Sequence, residues 1–295
     1  MAWAGPPWHS GAVDAPYAIV EPIEPGIARL LANNPSPFTF TGTQTYIVGE
    51  GEVVVIDPGP DLPEHVAAIL AEIGGRRLVA IACTHTHRDH SPASRALAAM
   101  TGAPIVGCGA LAMDSVGPRT DASFDFDYAP DRVLADGDAI GVDGVRLIAV
   151  ATPGHTSNHL CFVLEGSGAL FSGDHVMGWS TSVVVPPDGD MGHYMASLDK
   201  LRTRDDRIYF PGHGPAVTKP QQLVRGMIGH RLQREKQILK RLGAGDRTVG
   251  QVVAAAYPGL DPRLVPAAGA SVTAHLLDLK RRGMVEARDD RWLKI

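Results

Sequence analysis

The stretch Thr84-His85-Thr86-His87-Arg88-Asp89-His90 constrains this chain more than any other. It packs three histidines and a carboxylate into six positions directly after the apolar run that begins at Leu78. Imidazole is a neutral nitrogen ligand and carboxylate a hard oxygen ligand, a mixture that suits Zn²⁺ or a similar first-row metal better than calcium or magnesium. From extended backbone, His85 and His87 project to the same side, and Asp89 and His90 follow as the chain turns. Ser91-Pro92 then reads as an N-cap followed by a first helical residue.

Three further positions repeat one layout, an apolar strand running into a glycine and then a ligand: Gly154-His155, Gly173-Asp174 and Gly212-His213. Glycine permits positive φ or close backbone approach, so each pair presents a ligand at a strand end on a rigid mount. A single histidine among the 12 in the chain reads as an ordinary hydrogen-bonded residue. Seven together, His85, His87, Asp89, His90, His155, Asp174 and His213, read as a metal site, because the local cluster and the glycine repeats agree independently.

The surrounding pattern is that of a mixed α/β protein. The β-branched runs Thr45 to Val48 and Val53 to Ile56, separated by Gly49-Glu50-Gly51, predict a hairpin. Helices are expected over Pro63 to Ile73 and Pro92 to Met100. Strands are expected at Leu78 to Thr84, Ile105 to Val106, Val145 to Val150, Leu160 to Leu164, Leu170 to Phe171 and Arg207 to Phe210. The lead-in through Pro37 shows no period and reads as loop. Gln221 to Leu242 predicts a long helix closing at Gly243. Beyond it, helical faces at Val249, Val252, Val253 and Ala256 and at Val272, Leu276 and Leu279 precede two short strands around Asp289-Asp290, the order of a winged helix. The expected division is 1–220 as catalytic domain, 221–245 as linking helix and 246–295 as winged-helix-like domain.

At 295 residues and 44% hydrophobic composition the chain is expected to be soluble and globular. Met1 to Val13 lacks a basic segment followed by an apolar one, and no run reaches membrane-span length, so a cytoplasmic location is expected. Cys83, Cys108 and Cys161 stand in no CxxC spacing and read as buried thiols. A net charge of −5 argues against a protein that coats polyanions, although residues 246–295 carry 8 Lys and Arg against 6 Asp and Glu while the remainder carries 19 against 26. Neither GxSxG nor GxxxxGK[ST] occurs.

Taken in order, THTHRDH, TPGHT, SGDH and PGHGP resemble the metallo-β-lactamase superfamily. The resemblance implies a four-layer αββα sandwich with two zinc ions. One would sit at His85, His87 and His155, the other at Asp89, His90 and His213, with Asp174 bridging. It also implies a metal-bridging hydroxide as nucleophile, with Asp89 and Asp174 as catalytic residues and Asp89 orienting the nucleophile or shuttling its proton. YFPGHGPAV, HRLQREKQIL and HLLDLKRRG are similar to the β-lactamase-like single-strand-specific endoribonucleases, which implies a single-stranded RNA substrate and a C-terminal winged helix on the substrate side or at a homodimer contact. The stretch His175 to Ser182 and the Pro- and Gly-rich loop to Gly192 depart from that group. Two other readings stand beside it: a small-molecule hydrolase acting on a thioester, lactone, ester or β-lactam, and a metal- or ligand-responsive winged-helix regulator of duplex DNA.

Lesser candidates carry two readings each. Asp57 is either an acceptor for a ligating histidine or a turn former. Thr156, Ser157, Asn158 and His159 contact substrate or, by preference, shape a turn. Thr181, Ser182, His193 and Tyr194 are candidate donors to an oxyanion or phosphate. Lys280, Arg281 and Arg282 either meet phosphates or complement a helix C-terminus.

Overall fold

A computed structural model of the chain describes residues 15–111, 124–245 and 247–295; the Met1 to Val13 stretch read above lies outside them. The described chain divides into two compact units. The first is drawn from residues up to 151 with 158–180 and 206–218, the second from 152–157, 181–205 and 219–295.

The first unit is built on two sheets. One runs β1 (Glu21–Glu24), β2 (Ile27–Leu31), β3 (Gln44–Val48), β4 (Glu52–Ile56), β5 (Arg77–Cys83), β6 (Ile105–Gly107) and β7 (Arg132–Val133) in spatial order. Its first four strands pair antiparallel and the rest parallel. Between β4 and β5 lies α1 (Pro63–Ile73), opened by its proline, and between β5 and β6 lies α2 (Ala93–Thr101). The second sheet runs in the order β12, β11, β10, β9, β8. Its strands are β8 (Ala139–Val142), β9 (Val145–Ala151), β10 (Leu160–Leu164), β11 (Ala169–Gly173) and β12 (Ile208–Pro211). Only β11 and β12 pair parallel there.

Both sheets feed one core. Val54, Ile56 and Ile81 of the first meet Leu147, Phe162 and Phe171 of the second, with Ile69 of α1 and Leu97 of α2 closing the cluster. The Tyr46 ring lies 5.1 Å from that of Phe171 and 5.8 Å from that of Phe210, and its hydroxyl donates to the Pro211 carbonyl at 2.7 Å. Truncating such a fully buried side chain as Ile69 to alanine would cost about 2 to 5 kcal/mol. This is the expected sandwich of sheets and helices.

The second unit holds α3 (Met191–Arg202), α4 (Pro220–Gly243), α5 (Val249–Ala256), α6 (Val265–Arg281) and the hairpin of β13 (Val285–Arg288) and β14 (Arg291–Lys294). Thr248 and Gln251 form a reciprocal capping box at the start of α5. Ile238 and Leu242 of α4 share a core with Val252, Val272, Leu276, Leu279 and Val285, the helix-and-hairpin arrangement read from the sequence. Among the described residues no helix is long and apolar enough to cross a membrane.

Three expectations are corrected. The lead-in is not all loop: β1 and β2 extend the first sheet, and β1 escaped notice because it is a short edge strand with no buried residue. The segment ending at Gly192 does not stay irregular, since α3 begins at Met191 with Asp190 as its N-cap and so places His193 and Tyr194 on a helix. Ser91 does not cap α2; Pro92 already has helical angles, and the Ser91 hydroxyl donates to Asp125 instead.

Candidate metal centre

The paired strands of the first unit end together. Ile56 pairs with Ala82 and Gly173 with Pro211, so Asp57, Thr84, Asp174 and His213 each leave the carboxyl end of a strand. Two main-chain bonds tie the sheets at that edge, from Leu160 N to the Thr84 carbonyl and from Gln44 N to the Gly212 carbonyl, both at 2.8 Å. Glycine is needed here for space. A Cβ on Gly212 would come within 2.6 Å of Asp174 Oδ1 and His90 Cε1. One on Gly173, where φ is +48°, would come within 2.8 Å of Thr84 Oγ1 and His159 Nε2.

Donor atoms of His85, His87, His155 and Asp174 lie within 4.8 Å of one another, as do those of Asp89, His90 and His213. The structure therefore brings all seven predicted residues into two groups. His90 Nε2 is 3.3 Å from His213 Nε2, 3.4 Å from Asp89 Oδ2 and 3.5 Å from Asp174 Oδ1. His213 Nε2 is 3.1 Å from Asp89 Oδ2 and 3.4 Å from Asp174 Oδ1. On the other side His85 Nε2 stands 2.9 Å from His87 Nδ1.

The hydrogen bonds on the far side of each ring decide which nitrogen is left as a lone pair. His213 Nδ1 faces the Gly42 carbonyl at 3.1 Å and must donate to it. His90 Nδ1 donates to Asp57 Oδ2 at 2.9 Å. The Thr84 hydroxyl gives its proton to Asp57 Oδ2 at 2.7 Å, so it accepts from His85 Nδ1 at 2.9 Å. His155 Nδ1 donates to the Val183 carbonyl at 2.6 Å. Each of these four rings thus turns Nε2 toward the cluster, the nitrogen whose lone pair a metal ion would take.

Lone-pair nitrogens and carboxylate oxygens facing one another repel unless a proton or a cation stands among them. Around a tetrahedral zinc with bonds of about 2.0 to 2.1 Å, neighbouring donors are separated by about 3.3 Å. The spacing of Asp89, His90, His213 and Asp174 matches that value, so the residues present fit a divalent ion. Without one, the charges rearrange around protons. Burial would lower the basicity of His90, but the carboxylates of Asp89, Asp174 and Asp57 outweigh it and hold the ring well above the usual histidine range. His213, opposed by the same burial, is pushed up to about 9 by Asp174 and Asp89. Burial works against ionisation of Asp89 and Asp174 too, yet the two imidazoles hold both carboxyls well below the ordinary range.

Asp57 proves to be an acceptor for a predicted ligand. One carboxylate accepts hydrogen bonds from Thr84 N, Thr84 Oγ1 and His90 Nδ1, and it does so from a left-handed backbone position, φ +48°, that Asp tolerates. The Asn158 side chain anchors its turn by donating to Thr86 Oγ1 and to the Gly109 carbonyl, while His159 Nε2 accepts from Asp174 N at 3.2 Å. Sequence reasoning missed Phe124, whose ring lies 4.6 Å from that of His87, and Asp125, which accepts from Ser91 and Arg95 and steadies the segment. It also missed the Gly42 and Val183 carbonyls, because a backbone acceptor carries no residue-type signal.

The sequence profile described as the Metallo-beta-lactamase superfamily matches residues 38–213. This chain belongs to that superfamily. A second profile, the Beta-lactamase associated winged helix domain, matches residues 248–292 of the superfamily member. The Beta-lactamase-like protein 2 homolog of Caenorhabditis elegans is 34% identical over 76% of this chain and 74% of its own length. An atrochrysone carboxyl ACP thioesterase of Cryptosporiopsis sp. (strain 8999) is 32% identical over 77% of this chain and 66% of its own length. The chain thus spans about two thirds of the latter and three quarters of the former. Among solved structures, a metallo-beta-lactamase family protein from Thermus thermophilus has the same fold, with a TM-score of 0.75 at 24% identity over 92% of this chain and 99% of that one. The protein is a hydrolase of the metallo-beta-lactamase superfamily with a C-terminal winged helix.

Proposed function

We propose that this hydrolase cleaves acyl thioesters at a site holding two zinc ions, one at His85, His87 and His155, the other at Asp89, His90 and His213, with Asp174 shared by both. The observation that carries the reading is the pair of donor groups joined by Asp174, in which His85, His90, His155 and His213 each have Nδ1 already committed to an oxygen. Divalent ions there would supply Lewis acidity toward a carbonyl oxygen and bring the pKa of a water toward neutrality. Asp89, a quarter exposed and held ionised, accepts a hydrogen bond from the attacking water and orients it. Water adds to the acyl carbon, the carbon–sulfur bond breaks, one proton of the water goes to the departing sulfur and the other to solvent, and a carboxylate and a thiol leave.

The thioester class is favoured over RNA on two grounds. A relative that the chain matches is named a carboxyl ACP thioesterase. The basic cluster at the end of α6 is also largely spent on internal ion pairs: Arg281 bonds Asp190 and Asp278, and Arg282 bonds Glu235 and Asp278. Cations neutralised in this way offer little to a phosphate backbone.

The test is to load the full chain with zinc and present a short acyl thioester, a labelled single-stranded RNA and a cephalosporin, each beside Asp174→Ala. The expected outcome is thiol release that the substitution reduces by at least about a thousandfold, as loss of a group acting within a catalytic unit does. RNA cleavage without thiol release, abolished by the same substitution, would return the endoribonuclease reading. Activity undiminished in Asp174→Ala would sink the two-metal site.

A further inference from the structure

The turn that carries His155 is held by residues remote in sequence. Gly154 has φ +139°, and a Cβ there would fall 2.3 Å from Tyr194 N and Cα, so the turn rests directly on the first turn of α3. Asp190 N donates to the Gly154 carbonyl at 2.9 Å, and Ser197 Oγ donates to the Pro153 carbonyl at 2.8 Å. The ring itself is oriented by the Val183 carbonyl, in an irregular stretch.

Two guanidinium groups hold these supports. Arg231 of α4, 4% exposed, donates to the carbonyl of Ser182, the residue before Val183. Its guanidinium carbon lies 5.3 Å from the centre of the Tyr194 ring, and a second nitrogen reaches Ser271 Oγ of α6 at 3.3 Å. Arg281 of α6 makes paired charge-assisted bonds to both oxygens of Asp190, one at 2.8 Å. Asp190 at the same time caps α3 by accepting from His193 N at 2.9 Å. Arg281 therefore fixes the peptide that fixes Gly154, and Arg231 fixes the peptide beside the one that orients His155.

We propose that Arg231 and Arg281 are positioning residues for His155, so that the hold on one of the two metal ions depends on the winged-helix element α6. The proposal rests on the assignment of His155 as a ligand. It gives the C-terminal module a role inside the catalytic protein: α6 lies within the profile-matched segment, and its Arg281 and Ser271 brace the ligand turn. Partners that orient a metal-binding histidine are typically worth about 10- to 100-fold in metal affinity.

The experiment titrates metal-stripped full-length protein with Zn²⁺ against a competing chelator, and with Co²⁺ followed by its visible spectrum. The variants are Arg281→Gln, Asp190→Asn, the two combined, Arg231→Met, Arg231→Lys and His155→Ala. Arg281 is half exposed, so its substitution leaves the core intact. The expected result is that Arg281→Gln weakens one metal equivalent about tenfold and leaves the other unchanged. Asp190→Asn should match it, the double variant should be no worse than either, and the cobalt bands of that one site should shift. Arg231→Met should lose more, with Arg231→Lys recovering part. Unchanged affinity in both Arg281→Gln and Arg231→Met, or equal weakening of both equivalents, would overturn the proposal. If His155→Ala itself retains two equivalents at wild-type affinity, the ligand assignment falls first and the proposal with it.

Discussion

Histidine is buried in two kinds of place in this molecule, and they push the ring in opposite directions. His90 and His213 sit among Asp57, Asp89 and Asp174, and despite complete burial their basicity rises. His65, hydrogen-bonded to Thr45 of β3 with only the Glu64 charge opposing its burial, and His275, on α6 among cations, are also buried. Burial lowers His65 to about 4, and burial, with help from Arg231 and Arg234, lowers His275 to about 3. Desolvation alone favours the neutral ring; only placed negative charge reverses it. A buried histidine therefore points to chemistry when carboxylates face it and to packing when they do not.

The largest effect that tests this contrast is on Asp57. Asp57→Asn keeps a residue that tolerates the left-handed backbone but removes the charge and one acceptor from Thr84 and His90. The expected outcome is a loss of about 10- to 100-fold in zinc affinity, read by chelator competition. Unaltered affinity would mean that the carboxylate is not what sets the two kinds of histidine apart.

A smaller effect is expected from pH. His65 has a folded pKa of about 4, below its unfolded value, so between that value and about 6.5 the unfolded chain binds more protons. The stability from keeping the ring neutral is complete above about pH 6.5 and is lost as pH falls through the folded pKa, amounting to about 3 kcal/mol at most. Denaturant midpoints measured across that window should fall with pH in the wild type and fall less in His65→Gln. Identical slopes would remove His65 from the acid sensitivity. Smallest of all is His193, 65% exposed and 3.9 Å from Asp190. His193→Ala should change stability by no more than about 0.5 kcal/mol and leave turnover of the proposed thioester substrate intact; a large fall in turnover would restore it as a donor to the reacting group.

Much of the candidate site is legible in the sequence because its donor residues announce themselves locally. THTHRDH needs no long-range information, and the Gly-ligand pairs record the crowding that a Cβ on Gly212 or Gly173 would cause. Elements with a clear period were placed almost to the residue, α1 at Pro63–Ile73 and β10 at Leu160–Leu164 among them. β1 and α3 were missed for opposite reasons. The first is an exposed edge strand with a proline between glutamates, and the second opens on Asp190-Met191-Gly192 after a loop-like stretch, so its period shows only once it packs against α4.

The sequence by itself determined the donor types, their order along the chain and the strand ends that carry them, since each is written in neighbouring residues. For His85, His90, His155 and His213 it is the fold that selects which nitrogen faces the cluster. That choice belongs to Asp57, to the hydroxyl of Thr84 and to the carbonyls of Gly42 and Val183, groups brought to the rings by strand pairing and helix packing. A neutral imidazole can hold its proton on either of two distinct nitrogens until a fixed acceptor selects one, and only the fold can place that acceptor.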